Sequence, residues 1–495
     1  MGKTILLGAL LFVIGMNLQA ALPPGEHGMS IVSSTDGTTQ PYRLFVPSRA
    51  VQTSAPLPLV VVLHGWGVDE YAWFKFTPVK RFADQFGFVI AAPYARGNWW
   101  YRGPAEQDVL DVIENVKKAL PIDERRVYLA GHSMGGWGTW WIGLRHPDLF
   151  AAIAPMAGFD PREFAAGAVN LDPYVIHDIT DPIVPVEQSR APVAFMAARG
   201  ISHVYREEVG YGHASRMIGD NLPRVFEWFT HHSREDKPRR VSLASRLPGA
   251  SVRWLLLVET ERWPRPALID AWVDADGVLV VRQENVRAFA LHVGDLPASA
   301  SLPLKIRIDK QELAAERSTA WLQIRRERKN GNWALSESTD KPAIAPLPSL
   351  KGAVAQELAA AQAEDRLATA CAEILRKHFA ADACVVDADK IRVARGTLTV
   401  EKLLDAWVYP EDRLVAAKIN PQTLQGISEV ISKGKALVIP AEVTISKRKL
   451  VNVILPQAVA NQLHLSSDKV KPAGDLTIGE LLAKLATDPA NFRQQ

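Results

Sequence analysis

The chain has 495 residues, enough for about three domains of roughly 150 residues each, and 47% of them are hydrophobic, which suffices for a sizeable core. Its 57 Lys and Arg stand against 54 Asp and Glu, a formal net charge of +3, with no long block of one sign. That balance argues against nucleic acid or an anionic membrane surface as partner and leaves a small neutral or mixed substrate as the expectation.

The chain opens on Met1-Gly2-Lys3, an apolar run from Ile5 to Met16, and Leu18-Gln19-Ala20-Ala21. A charged start, a short greasy middle and small residues before a cut describe a secretory signal peptide over residues 1–20, and hence a secreted or periplasmic protein. No later segment reaches about 18 uncharged apolar residues, so no membrane span is expected.

Residues 22–233 read as alternating strands and helices. A β-like lead-in near Tyr42–Pro47 precedes the Val-rich run Leu57–Leu63, which has the uniform apolarity of a buried parallel strand. A helix near Lys80–Phe86, the run Gly87–Pro93 and a helix over Glu106–Leu120 follow, the last carrying Val109, Leu110, Ile113, Val116 and Leu120 at helical spacing. The strand Val127–Ala130, a helix from Gly135 to Arg145 and the strand Ala151–Ala157 come next. Then come a strand near Tyr174–His177, a helix near Glu187–Arg199, the strand His203–Val209 and a helix near Leu222–His231. Such alternation implies a mostly parallel, doubly wound sheet covered on both faces, with ligands beyond the carboxyl ends of its strands.

The residues just after each strand therefore carry the chemistry. Gly131-His132-Ser133-Met134-Gly135 has the Gly-x-Ser-x-Gly pattern of a nucleophile elbow, where a sharp strand-to-helix turn exposes a serine hydroxyl to a base and to a backbone N–H. His64-Gly65-Trp66-Gly67 follows the Leu57–Leu63 strand, where a second oxyanion donor belongs; the expected donors are the N–H groups of Trp66 and Met134. After Tyr174–His177 come Asp178 and Asp181; Asp181 is the better acid, being clear of the strand. His213, in Gly210-Tyr211-Gly212-His213, is the expected general base. Arg96-Gly97-Asn98-Trp99-Trp100-Tyr101-Arg102 places three aromatic rings on one loop, either to stack on a substrate or to form a plain hydrophobic lid. Asp108, in the helix that follows, is expected to prop the elbow region.

Residues 57–232 resemble the α/β-hydrolase esterases grouped with poly(3-hydroxybutyrate) depolymerases and feruloyl or acetylxylan esterases, and are similar to prolyl oligopeptidase catalytic domains. The resemblance rests on His64–Gly67, Asp108–Ile113, Ile122-Asp123 with Arg126–Tyr128, Gly131–Gly136, Phe150–Pro155 and Asp181–Pro185. It implies an α/β-hydrolase fold and serine hydrolysis through an acyl-enzyme. His177-Asp178 departs from the family's common His-Gly and sets Asp178 beside Asp181 as a rival carboxylate.

After the charged linker Arg234–Arg240 the pattern turns to strands at Val252–Leu256, Val278–Val281, Ala288–Val293 and Leu304–Ile308, with turns at Asp274–Gly277 and Asn330–Asn332. A β-sandwich-like accessory domain over residues 240–338 is expected. Its Trp254, Trp263 and Trp272 either pack a core or mark a glycan-binding face. A Pro-rich linker from Thr339 to Pro348 leads into a helix near Ala353–Phe379 and a small α+β domain over 350–495. That last part resembles the C-terminal domain of 5′-nucleotidases, but Glu411 replaces the aromatic residue that family stacks on a base, and its phosphatase domain has no counterpart. Cys371 and Cys384 are either one disulfide or two buried thiols. No motif calls for a metal or cofactor.

The expected function is an exported serine carboxyl-ester hydrolase with Ser133, Asp181 and His213 as its triad, acting on small or polymeric esters, carbohydrate acyl esters among them. A prolyl-oligopeptidase-type serine peptidase and a non-catalytic surface binding protein are the alternatives.

Overall fold

The computed structural model describes residues 22–347 except 54, 301, 302, 317 and 318, together with 356, 358 and the segments 367–378, 383–385, 413–419, 437–438, 451–456 and 470–487. The expected signal peptide and Glu411 lie outside the described residues.

The first unit is built on eight strands: β1 (Gly25–Val32), β2 (Thr39–Val46), β3 (Leu57–Leu63), β4 (Val89–Pro93), β5 (Ile122–His132), β6 (Ala152–Met156), β7 (Tyr174–Asp178) and β8 (Val204–Glu208). They form one sheet in the order β1-β2-β4-β3-β5-β6-β7-β8, antiparallel at β1-β2-β4 and parallel onward. This is the α/β-hydrolase arrangement. Every residue of β3 is buried, and its side chains alternate between two cores, as a strand covered on both faces requires. Leu59, Val61 and Leu63 join α3 (Pro104–Ala119), α4 (Met134–Arg145) and Met196 of α5 (Glu187–Ala198) on one face. Val60 and Val62 join α2 (Val79–Phe86) and α6 (Arg216–Thr230) on the other; the short α1 (Ala72–Phe76) lies between β3 and α2. The strand order reverses around β3, so the carboxyl ends of β3 and β5 open a crevice there.

β1 was not expected from sequence. It is an edge strand in which only Ile31 is fully buried, so the usual apolar alternation is weak. The salt bridges of Glu26 to Arg43 and Lys80 tie it to its neighbours.

Two further five-stranded sheets follow. They comprise β9 (Arg240–Ser245), β10 (Ser251–Val252), β11 (Leu255–Thr260), β12 (Ala267–Val273), β13 (Leu279–Glu284), β14 (Val286–His292), β15 (Leu304–Ile308), β16 (Gln311–Ala315), β17 (Trp321–Arg326) and β18 (Trp333–Ser338). The orders are β10-β11-β14-β17-β18 and β16-β15-β13-β12-β9, and both sheets contribute to one core. The apolar run Val252–Leu256 is not one strand, because Arg253 turns the chain at φ 50° and gives two antiparallel strands. Trp254 fills this core at 0% exposure, its indole N–H donating to the Pro238 carbonyl, so it cannot present a face to a glycan.

Toward the C-terminus, α7 (Leu367–His378), β19 (Ala383–Val385), β20 (Arg413–Ile419), β21 (Leu437–Val438), β22 (Val451–Pro456), β23 (Val470–Thr477) and α8 (Ile478–Thr487) are described, with strand order β21-β19-β22-β20-β23. Cys371 is buried in α7.

Candidate active site

Ser133 stands between β5 and α4 with φ 60° and ψ −120°, outside the regions an L-residue adopts without strain. The turn is possible because the residues two positions to either side, Gly131 and Gly135, lack side chains. A Cβ on Gly131 would lie 2.2 Å from the Gly135 carbonyl oxygen, and one on Gly135 the same distance from that of Leu63. The Ser133 N–H donates to the Met156 carbonyl, which anchors the turn to β6.

The two rival carboxylates on the loop after β7 have different partners. Asp181 directs Oδ1 at the backbone N–H groups of Ile183 and Val184, at 2.8 and 2.9 Å, and Oδ2 at Nδ1 of His213, at 2.6 Å. Asp178, fully buried, accepts the N–H and hydroxyl of Thr180 and the N–H of Tyr211. Burial alone would raise the pKa of Asp178, but these hydrogen bonds outweigh it and hold the carboxyl below its ordinary value. Asp178 thus joins the β7 loop to the Gly210–His213 loop and leaves Asp181 to the imidazole. Because His213 Nδ1–H donates to a carboxylate, Nε2 is left as the acceptor.

Two further histidines flank this pair. The His213 ring lies 4.7 Å from that of His132, next to Ser133 in sequence. His132 is buried, its Nε2 meets no partner, and burial together with the nearby His213 pushes its pKa down to about 3. It is held neutral beside the His213 ring. His177 accepts Ser189 Oγ–H at Nδ1 and donates Nε2–H to the Val184 carbonyl, with Asp181 Oδ2 3.5 Å away. Ser133 and His213 make no hydrogen bond to one another in this structure; such bonds commonly close only when substrate is bound.

The N–H groups of Trp66 and Met134 have no acceptor among the described residues. The Trp66 loop is held from three directions. Tyr101 Oη–H donates to the His64 carbonyl, Trp73 Nε1–H to that of Leu63, and Gly67 N–H to Asn98 Oδ1. Trp66 is 49% exposed, and its ring lies 5.8 Å from Trp100, which in turn lies 5.4 Å from Phe159.

The three rings expected at the substrate therefore part ways. Tyr101 is 1% exposed with its hydroxyl already bonded, so it braces the loop and cannot line a pocket. Trp100 offers only an edge, and Trp99 packs against the core. The sequence marks neither Trp66 nor Phe159 as a substrate contact: Trp66 stands out for its backbone alone, and Phe159 carries no motif. Asp108 also differs from expectation. It is buried under Arg96 and Ser33, so it anchors the aromatic loop and the β1–β2 turn and not the elbow.

The chain is similar to known proteins over this region. Residues 97–163 match the model of the prolyl oligopeptidase family. A bifunctional acetylxylan esterase/xylanase of Neocallimastix patriciarum is 31% identical over 160 residues, 31% of this chain and 23% of that protein. Feruloyl esterase B of Neurospora crassa is 29% identical over 142 residues, 26% of this chain and 47% of the relative. A poly(3-hydroxybutyrate) depolymerase of Ralstonia pickettii is 31% identical over 151 residues, 26% and 31% of the two chains. The chain thus spans less than half the length of each of these relatives. Over these stretches the first unit is similar to α/β-hydrolase esterases.

Proposed function

We propose that the protein is an exported serine carboxyl-ester hydrolase whose triad is Ser133, His213 and Asp181. The observation that carries the reading is the 2.6 Å contact between Asp181 and His213, whose ring lies 4.7 Å from that of His132, the residue before the strained Ser133. In the proposed reaction Ser133 Oγ attacks the ester carbonyl while His213 Nε2 takes its proton. The N–H groups of Trp66 and Met134 hold the resulting oxyanion. Collapse breaks the bond to the alcohol, which leaves with the proton from His213, and the acyl group stays on Ser133. Water, deprotonated by the same Nε2, then releases the acid. Asp181 orients the imidazole and stabilises its cationic form.

The substrate class follows from the rim and the relatives. Trp66 with Trp100 and Phe159 makes an aromatic wall beside the oxyanion donors, suited to a phenolic acyl group or a sugar ring. Acyl esters of plant-wall polysaccharide are the proposed substrates, with residues 22–233 as the catalytic domain. Residues 240–338 are proposed as a β-sandwich accessory domain and residues 350–495 as an α+β one. The match to the prolyl oligopeptidase model favours a peptidase as the second reading.

The test is turnover of p-nitrophenyl acetate, methyl ferulate and a prolyl anilide by the wild type and Ser133→Ala. Ester turnover abolished by the substitution, without anilide cleavage, is the expected result. Anilide cleavage alone would favour the peptidase, and no turnover of any kind would leave a binding protein.

A further inference from the structure

Outside the hydrolytic site, the outer face of the sheet containing β12 presents a ring and cations to one cleft. Arg199 at the end of α5, Arg239, Arg240, Asp270, Trp272 and Arg282 line it, and its volume is about 320 Å³. The strand register explains the grouping. Trp272 pairs with Arg240 on β9 and Val280 on β13, and Asp270 pairs with Arg282, so these side chains all leave the sheet on the side away from the core.

The charges are unequally matched. Arg240 makes a two-pronged contact with Asp270 and also donates to the carbonyls of Arg199 and Gly200, so it fixes the seam between the first unit and this sheet. Arg199 has Glu284 at 3.8 Å. Arg239 donates only to the carbonyls of Val273 and Asp274, and the Arg282 guanidinium stands 4.8 Å over the Trp272 ring. Neither Arg239 nor Arg282 has a carboxylate partner among the described residues. The other acids bordering this face, Asp274 and Glu312, are engaged by Arg307.

We propose that this cleft binds a carboxylate-bearing polysaccharide, a uronic-acid-substituted glycan chain. The part-buried Trp272 indole offers the flat apolar surface that packs on the C–H face of a sugar ring, and the exposed, planar Arg282 guanidinium beside it takes a carboxylate through two N–H bonds. The two arginines without acidic partners supply the complementary charge, and the cleft's place at the seam with the first unit would hold a polymer beside the hydrolase. The binding stands independently of the esterase reading.

The test is affinity electrophoresis of the full chain in glucuronoxylan, in the same polymer after carboxyl reduction, and against single-stranded DNA. Retardation by glucuronoxylan, at least tenfold weaker in the reduced polymer and in Arg282→Gln, is expected, with p-nitrophenyl acetate turnover unchanged. Trp272→Ala should weaken binding to both polymers. Arg239→Gln serves as a second surface variant should Trp272→Ala prove unstable. Equal retardation by native and reduced polymer, retardation indifferent to both arginine substitutions, or DNA bound as strongly as glucuronoxylan would overturn the proposal.

Discussion

The Asp181→Asn substitution separates the two carboxylates of the β7 loop, and its effect can be worked from the hydrogen bonds. Oδ1 of Asp181 accepts two backbone N–H groups, from Ile183 and Val184. An asparagine must keep its oxygen toward those donors, because turning the amide would set an NH2 against two N–H groups. Its NH2 then faces Nδ1 of His213, where the wild type presents Oδ2 at 2.6 Å. Nδ1 becomes the acceptor, Nε2 carries the hydrogen, and the imidazole confronts Ser133 with an N–H that cannot take a proton. A triad locked in the wrong tautomer loses about 10⁴-fold in kcat, a barrier rise of about 5 kcal/mol. Asp178→Asn puts an NH2 in place of one of the oxygens that accept from Thr180 and Tyr211, costing about 1–3 kcal/mol of stability. It leaves the His213 tautomer alone, so kcat should fall less than about tenfold. Steady-state turnover of p-nitrophenyl acetate with a thermal melt of each variant reads both effects. The reverse pattern, Asp178→Asn inactive at full thermal stability and Asp181→Asn active to within tenfold, would refute the assignment.

His132, held neutral with a pKa of about 3 against 6.5 ordinarily, takes up a proton only on unfolding across that window. Its stabilising effect is therefore complete above pH 6.5 and is lost as the pH falls toward 3; His132→Phe should gain on the wild type in melting temperature on acidification, and a flat difference between pH 7 and 4 would contradict a buried neutral imidazole. Gly135→Ala, with its Cβ 2.2 Å from a backbone oxygen, should destabilise by at least about 1–3 kcal/mol and abolish ester turnover, which melting and activity together would show. Trp66→Ala should raise KM for methyl ferulate up to about tenfold while that for p-nitrophenyl acetate barely moves, because only the aromatic acyl group can stack there. An equal rise for both esters would remove Trp66 from acyl recognition.

What the sequence made legible was set by how locally each feature is encoded. The central strands could be read because burial on both faces leaves continuous apolar runs such as Leu57–Leu63, and Ser133 because its turn demands glycines at fixed offsets. Asp181 and His213 followed from topology, as residues on the loops after β7 and β8. β1 escaped because an edge strand needs few apolar residues. The role of Asp178 in joining two loops escaped because Tyr211, its partner on the second loop, lies 33 residues away and no local pattern joins them. The same holds for Tyr101, whose burial beneath the His64 carbonyl is a long-range contact. A cluster of three rings on one loop looks like a binding surface until the fold decides which of them face inward.

Backbone strain is gathered at the rim where the proposed chemistry occurs. Of the eleven non-glycine residues with positive φ among those described, Ala95, Arg96, Trp100, Tyr101, Ser133 and Ala157 lie just beyond the carboxyl ends of β4, β5 and β6. Each costs on the order of 1–2 kcal/mol, so the rim persists only because neighbouring contacts over-determine it. Arg96 is pinned by Asp36 and Asp108, Tyr101 by the His64 carbonyl, Ser133 by Met156 and Ala157 by Ile176. The Tyr101 bond also fixes the Trp66 loop through the His64 carbonyl, and Asn98 Oδ1 holds the same loop by accepting the Gly67 N–H, so the proposed second oxyanion donor sits on a braced loop. Donors held this way need no rearrangement as negative charge develops on a substrate oxygen, and preorganisation of this kind is where most of the rate of an acyl-transfer site resides. On the proposed reading, these fixed contacts at the elbow and aromatic loop are how the chain readies Ser133.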